Sequence, residues 1–109
     1  MEFLTKLEEL VLIAVLKLKD KAYGTSIYLH ITALTGREVT VSNVYFPLER
    51  LVRKGYLRAV QGEPTPRRGG MGKRYYKISP AGLTALRENR ALSLAAWRGV
   101  AVLMKRAEV

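Results

Sequence analysis

Residues 40–55 read Thr40-Val41-Ser42-Asn43-Val44-Tyr45-Phe46-Pro47-Leu48-Glu49-Arg50-Leu51-Val52-Arg53-Lys54-Gly55. Thr40 or Ser42 is placed to cap a helix that runs to Lys54, and Gly55 closes it. Val44, Leu48, Leu51 and Val52 recur at helical spacing with Tyr45 at their edge, which predicts one buried face. Ser42, Asn43, Phe46, Glu49, Arg50 and Arg53 fall together on the opposite face. Pro47 lies inside this pattern; it removes one helical hydrogen bond and should bend the helix or loosen its first turn. An aromatic ring on an otherwise polar face asks for a partner outside the chain.

Upstream, two shorter helical patterns precede this one. Thr5-x-x-Glu8 is a capping box, and the apolar run Leu7, Leu10, Val11, Ile13, Ala14, Val15, Leu16, Leu18 follows it. A helix from Lys6 to Lys19 is expected, apolar around most of its girth and so buried on more than one side. Tyr23-Gly24 breaks the chain, and Thr25 or Ser26 can cap a second helix with the inward stripe Ile27, Ile31 and Leu34, stopped at Gly36. His30 lies beside that stripe and reads as a surface residue. Three short helices with tight connections suit a helix-turn-helix module.

Downstream, Tyr56 to Gln61 alternates imperfectly and reads as a strand. Gly62 to Gly72 reads as a long loop, and Arg74 to Ile78 as a second strand, with one of Tyr75 and Tyr76 packed inward. Ser79-Pro80 then starts a last helix, Ser as N-cap and Pro in the first turn. That helix is expected to run unbroken from Pro80 to Arg106, roughly 40 Å. It carries two apolar rows: Leu92, Ala96, Val100 and Leu103, and Leu94, Trp97, Ala101 and Met104. Both rows cannot be buried against a small three-helix core, so a second copy of the same helix is the simplest cover. Gly99 costs about 1 kcal/mol in such a helix relative to Ala, and leaves room for a close crossing or a bend.

The 109 residues hold 19 Lys and Arg against 9 Asp and Glu, a formal charge of +10. The excess is uneven: residues 1–54 carry 8 basic against 6 acidic side chains, residues 55–109 carry 11 against 3. Arg67, Arg68, Lys73, Arg74 and Lys77 fall in and beside the inter-strand loop, and no acid occurs between Glu63 and Glu88. The balance points to a polyanionic partner. The absence of Cys excludes a disulfide framework, a thiolate nucleophile and Cys-ligated zinc, and a single His excludes a His-His metal pair, so no metal or cofactor is expected. The longest apolar run, Leu10 to Leu16, has seven residues, well short of the roughly 18 needed to span a membrane. The start of the chain lacks the features of a targeting segment, so a cytoplasmic protein is expected. The acids are scattered and no phosphate-cradling glycine loop precedes a helix, so an enzyme is not expected.

The order helix, helix, outward-reading helix, basic hairpin, long helix is that of a winged helix-turn-helix protein. The expected fold is mainly α with a small β-hairpin wing. Residues 1–79 would form the DNA-binding domain and residues 80–109 the dimerisation helix.

At this point the sequence resembles the PadR-like transcriptional regulators, in particular their short members. The resemblance rests on Leu4-Thr5 with Glu8 and Glu9, and on Tyr23-Gly24-x-x-Ile27. It continues with Val44-Tyr45-x-x-Leu48-x-Arg50-Leu51-x-x-x-Gly55 and the wing Arg67-Arg68-Gly69-Gly70. It closes with Lys73-Arg74-Tyr75-Tyr76-x-Ile78-Ser79-x-x-Gly82. The resemblance covers about residues 4–90. Two departures stand out: Phe46 occupies the place after Tyr45 where many members have proline, and Glu49 puts an acid on the presumed DNA face. The resemblance implies a homodimeric repressor on an inverted repeat of double-stranded DNA, released by a small hydrophobic ligand or another signal. Trp97 reads as an anchor of a dimer interface; by similarity to members that hold flat drugs between paired indoles, the resemblance offers a ligand contact as the alternative role for it.

In physical terms, Ser42 and Asn43 are the groove-facing residues nearest the start of the third helix, and Asn can bond adenine at both N6 and N7. Phe46 can meet a thymine methyl, while Tyr45 and Arg50 are placed for phosphates. Arg67, Arg68, Lys73 and Arg74 would supply affinity by neutralising phosphates. Leu92, Ala96, Val100 and Leu103 are the expected dimer interface. The competing reading is a winged-helix module that binds nucleic acid without sequence preference; it differs by the ratio of specific to random affinity.

Overall fold

The computed structural model describes residues 3–62 and 73–108. Helix α1 spans Lys6–Leu18, α2 Gly24–Thr35 and α3 Val41–Arg53; the antiparallel strands β1, Leu57–Gln61, and β2, Arg74–Ile78, follow, then α4, Pro80–Trp97, and α5, Val100–Ala107. The winged helix-turn-helix order is therefore present. The wing residues 63–72, with Arg67 and Arg68, lie outside the described residues.

Local chemistry explains where each helix starts. The Thr5 hydroxyl accepts from the Glu8 N–H at 3.1 Å and the Thr5 N–H donates to Glu8 Oε1 at 2.8 Å, the reciprocal pair of a capping box. Helix α2 begins earlier than its sequence suggests, at Gly24, and Ser26 acts from inside the first turn, its hydroxyl accepting from the Tyr23 N–H at 3.0 Å. Thr40 caps α3, accepting from the Asn43 N–H at 3.3 Å. Pro47 is buried within α3, which continues through it to Arg53.

Helix α1 is the central element: Val11, Leu12, Ala14 and Val15 are all buried, and α2, α3, α4 and β2 pack around it. Ile27 and Ile31 from α2, Val44, Leu48 and Leu51 from α3, and Leu57 and Tyr76 from the hairpin complete the core. Leu34 does not join the α2 stripe; it is 54% exposed, because the stripe leaves the core in the last turn before Gly36. Val52 is only partly buried, at the margin of the α3 face.

The hairpin register runs from Leu57↔Ile78 to Gln61↔Arg74. Strand β2 is also held on its other edge: Tyr23 bridges Tyr75, and the Tyr76 N–H donates to the Ala22 carbonyl at 2.8 Å. Of the two wing tyrosines it is Tyr76 that packs inward. The corner between α3 and β1 turns on Gly55, whose φ of +80° favours glycine. Ser79 fixes α4 to that corner, donating to the Gly55 carbonyl at 2.6 Å and accepting from the Gly82 N–H at 3.0 Å. A Cβ on Gly82 would lie 2.2 Å from the Tyr56 carbonyl oxygen, so only glycine allows this approach.

The expected single C-terminal helix is two helices. Arg98 leaves the helical region (φ −57°, ψ 122°) and Gly99 takes φ +78°, which ends α4 at Trp97 and starts α5 at Val100. Glycine at that position has no Cβ to oppose the left-handed conformation, and the chain uses it. Leu92 and Ala96 consequently belong to α4, Val100 and Leu103 to α5.

Candidate nucleic-acid interface

The outward face of α3 presents Ser42, Asn43, Phe46, Glu49 and Arg53 to solvent, and Phe46 is 64% exposed. An exposed phenyl ring between an amide and a carboxylate has no role in this chain's own packing. Strand β2 brings two cations beside the face. Arg74 Nη1 donates to Glu49 Oε1 at 3.0 Å, with its guanidinium 5.5 Å from the Tyr76 ring centre. The Lys73 ammonium lies 3.8 Å from the centre of the Tyr23 ring, and Tyr23 meets Tyr75 edge-on at 5.7 Å.

Between these groups lies an open cleft of about 270 Å³ lined by Tyr23, Gly24, Thr25, Tyr45, Glu49, Lys73, Arg74 and Tyr76. The half-buried Tyr45 reaches from α3 to the first turn of α2: a Cβ on Gly24 would lie 2.3 Å from its hydroxyl oxygen. The unpaired N–H groups of a helix start favour an anion, and here a tyrosine hydroxyl and an ammonium stand beside one. Tyr28 fixes the angle between the two helices from the far end, donating to the Val39 carbonyl at 2.7 Å in the α2–α3 connection.

Arg50 is placed differently. It is turned toward α1, with its Nε 3.7 Å from Glu8 Oε2, and is partly buried. Glu8 is 1% exposed; its Oε2 accepts from the Lys54 ammonium at 2.8 Å. Burial by itself would raise the Glu8 pKa, but the bond and charge of Lys54 and the two bonds with Thr5 outweigh it and hold the carboxyl below its ordinary value. The neighbouring Glu9 accepts from Asn89 of α4. Adjacent carboxylates of α1 thus hold α3 on one side and α4 on the other.

The structure brings Ser42, Asn43, Tyr45, Phe46, Lys73 and Arg74 to one side of the molecule and sets Arg50 at the α1–α3 seam. Tyr23, Thr25 and Glu49 as a partner of Arg74 are the additions. Tyr23 meets Lys73 and Glu49 meets Arg74 across long stretches of chain, so no local spacing announces either pair.

A family model described as the transcriptional regulator PadR-like family matches residues 12–88. The chain belongs to this family. Among solved structures, a PadR family transcriptional regulator from Eggerthella lenta is 25% identical, with a TM-score of 0.68 over 87% of this chain and 80% of that one. A PadR family regulator from hypervirulent Clostridium difficile is 19% identical, with a TM-score of 0.67 over 96% of this chain and 100% of that one. A transcriptional regulator from Clostridium thermocellum is 20% identical, with a TM-score of 0.67 over 92% and 87%. No match was found among curated protein sequences. Membership makes this chain a DNA-binding transcription regulator with a winged-helix fold.

The PadR-like body ends in an apolar tail. Leu92, Leu94 and Trp97 of α4 and Val102, Leu103 and Met104 of α5 are all exposed, Trp97 by 61%, and Ala96 is exposed beside them. Val100 is partly covered. Along the same C-terminal half of α4, a groove of about 260 Å³ runs between the start of α1 and Asn89, Leu92, Ser93 and Ala96. Among the described residues no helix is long and apolar enough to cross a membrane.

Proposed function

We propose that this PadR-like chain is a homodimeric repressor that places α3 of each copy in the major groove of an inverted-repeat operator. Ser42 and Asn43 read base edges, Phe46 packs on a thymine methyl, and Lys73 and Arg74, with Arg67 and Arg68 of the wing, hold phosphates. Tyr45 and Lys73 at the start of α2 supply a further phosphate contact. Arg50, tied to Glu8, acts on the register of α3 more than on the DNA. Residues 1–79 are the DNA-binding domain. Residues 80–109 are the dimerisation element, with Leu92, Ala96, Val100 and Leu103 in the interface. A flat hydrophobic ligand that stacks on Trp97 releases the DNA.

The observation that carries this reading is the solvent-facing set Ser42, Asn43 and Phe46 on α3, flanked by Lys73 and Arg74 of the hairpin. The exposed apolar residues of α4 and α5 support the dimer, because a second copy would remove them from water. One short helix reads too few base pairs for specificity, and a twofold pair doubles the site.

The test is selection of bound sequences from random duplex DNA at about 150 mM salt, where non-specific contacts are partly screened. Enrichment of an inverted repeat supports a sequence-specific dimer. Strong retention without an enriched motif would replace it with a module that binds the backbone alone.

A further inference from the structure

The ion pair between Glu49 and Arg74 joins the reading helix to the hairpin at the rim of the presumed DNA face. An acid on a surface that meets phosphates is a liability, since like charges repel. Here its position has a specific consequence. The Glu49 carboxylate accepts a hydrogen bond from the Arg74 guanidinium at 3.0 Å, and both side chains are about half exposed (49% and 46%). A pair this open is weak, worth a factor of two to five in equilibrium at most, roughly 0.5–1 kcal/mol. It can therefore be exchanged for another partner. Arg74 cannot lose its charge, and its guanidinium bonds phosphate and carboxylate with similar geometry.

We infer that Glu49 is a specificity-determining residue that acts through Arg74: it keeps the guanidinium neutralised against α3 until the correct site displaces it. On random duplex, Arg74 stays on Glu49 and one phosphate contact per subunit is withheld. On the operator, seating of Ser42, Asn43 and Phe46 brings a phosphate close enough to take Arg74. The freed carboxylate then faces the groove, where the amino group of cytosine is the base-edge donor it fits. Tyr76 beneath the guanidinium keeps Arg74 at the hairpin surface in both states. The inference rests on the DNA-binding reading above and adds to it the residue that suppresses non-specific binding.

The experiment is a cycle of Glu49→Gln, Arg74→Gln and the double variant, with affinity for random duplex and for the selected operator measured against salt. Circular dichroism confirms that each variant is folded. The amide keeps the size of Glu49 but not its charge. Glu49→Gln should raise affinity for random duplex by about two- to fivefold per subunit. It should steepen the salt dependence by about one contact per subunit, close to 0.9 in the logarithmic slope. Operator affinity should rise less, so the specificity ratio falls. In the Arg74→Gln background the same change can relieve only the repulsion of the bare carboxylate, so its gain should be smaller and should not add a phosphate contact to the salt slope. If Glu49→Gln strengthens binding equally with and without Arg74, Glu49 is a simple repulsive charge and the inference is overturned. An unchanged random-duplex affinity overturns it as well. A wild-type protein that binds duplex with a salt slope near zero would instead remove the DNA-binding reading itself, so the two failures are distinct.

Discussion

Replacing Glu8 by Gln should destabilise the fold without removing any side chain from the proposed DNA face, and the size of the effect follows from the surroundings of the carboxylate. Gln keeps an oxygen for the Thr5 N–H, so the α1 cap survives. What is lost is the charge opposite Lys54, bonded at 2.8 Å, and Arg50 at 3.7 Å. Removing one partner of a fully buried pair costs about 3–5 kcal/mol. Here the cations are not fully buried, with side chains 24% and 39% exposed, and they can turn to water. The lower range for a bond to a charged group applies, about 1.5–3 kcal/mol. For a chain of this size that is a fall in Tm of very roughly 6–20 °C, read by circular dichroism at fixed protein concentration. The pH dependence carries its own sign. The Glu8 carboxyl is held below its ordinary value in the folded state, so its contribution is complete above the unfolded carboxylate range near about 4.3. It is lost as pH falls through the folded value. The gap between wild type and Glu8→Gln should therefore be full at pH 7 and shrink below about pH 4. A gap under about 0.5 kcal/mol at pH 7, within the scatter of surface substitutions, would refute the reasoning. So would a gap that stays constant into the acid range.

Three further expectations follow from named contacts. Gly82→Ala should cost about 1–3 kcal/mol or more, because its Cβ would meet the Tyr56 carbonyl oxygen at 2.2 Å and backbone cannot yield as a side chain does; urea denaturation reads the loss. Asn43→Ala should weaken operator binding by about 1–3 kcal/mol while leaving random duplex unchanged, and equal losses on both would mean that Asn43 reads no base. Leu92→Asp and Val100→Asp, one on each side of the Gly99 break, should yield monomers by sedimentation and abolish specific binding; a dimer that survives both places the interface elsewhere.

The helices, the hairpin and most of the core were legible because their signals are local. Thr5, Thr40 and Ser79 are caps within a turn of the groups they bond, and the α3 stripe repeats at a spacing that geometry imposes. What was not legible depends on distant residues or on one dihedral angle. Leu34 continues the α2 stripe on paper, but the core has no wall there to cover it. Gly99 was recognisable as a weak point in a helix; that it takes φ +78° and divides the tail is a choice between conformations of similar energy for glycine. Within the candidate site, Asn43 and Phe46 could be placed on the outward face by counting. That Arg50 belongs to Glu8, and Arg74 to Glu49, required knowing that α1 and the hairpin approach α3 from opposite sides.

Those two ion pairs show how one chemistry serves two ends in the same helix. Glu8 is enclosed, and its anionic form is kept by a bonded ammonium, so losing that ammonium while α1 and α3 stay packed would leave a charge where little water reaches it. That seam ties α3 to α1 and so helps to hold the orientation of Asn43 and Phe46. Glu49 and Arg74 stand in water at the near face, where the dielectric reduces their attraction to the order of thermal energy. A regulator that must leave wrong sites quickly needs the second kind of pair at the surface it presents, and the first kind behind it. Exchanging the two environments would give a helix free to rock against its core and a cation fixed away from any phosphate, the opposite of what the proposed groove reading requires.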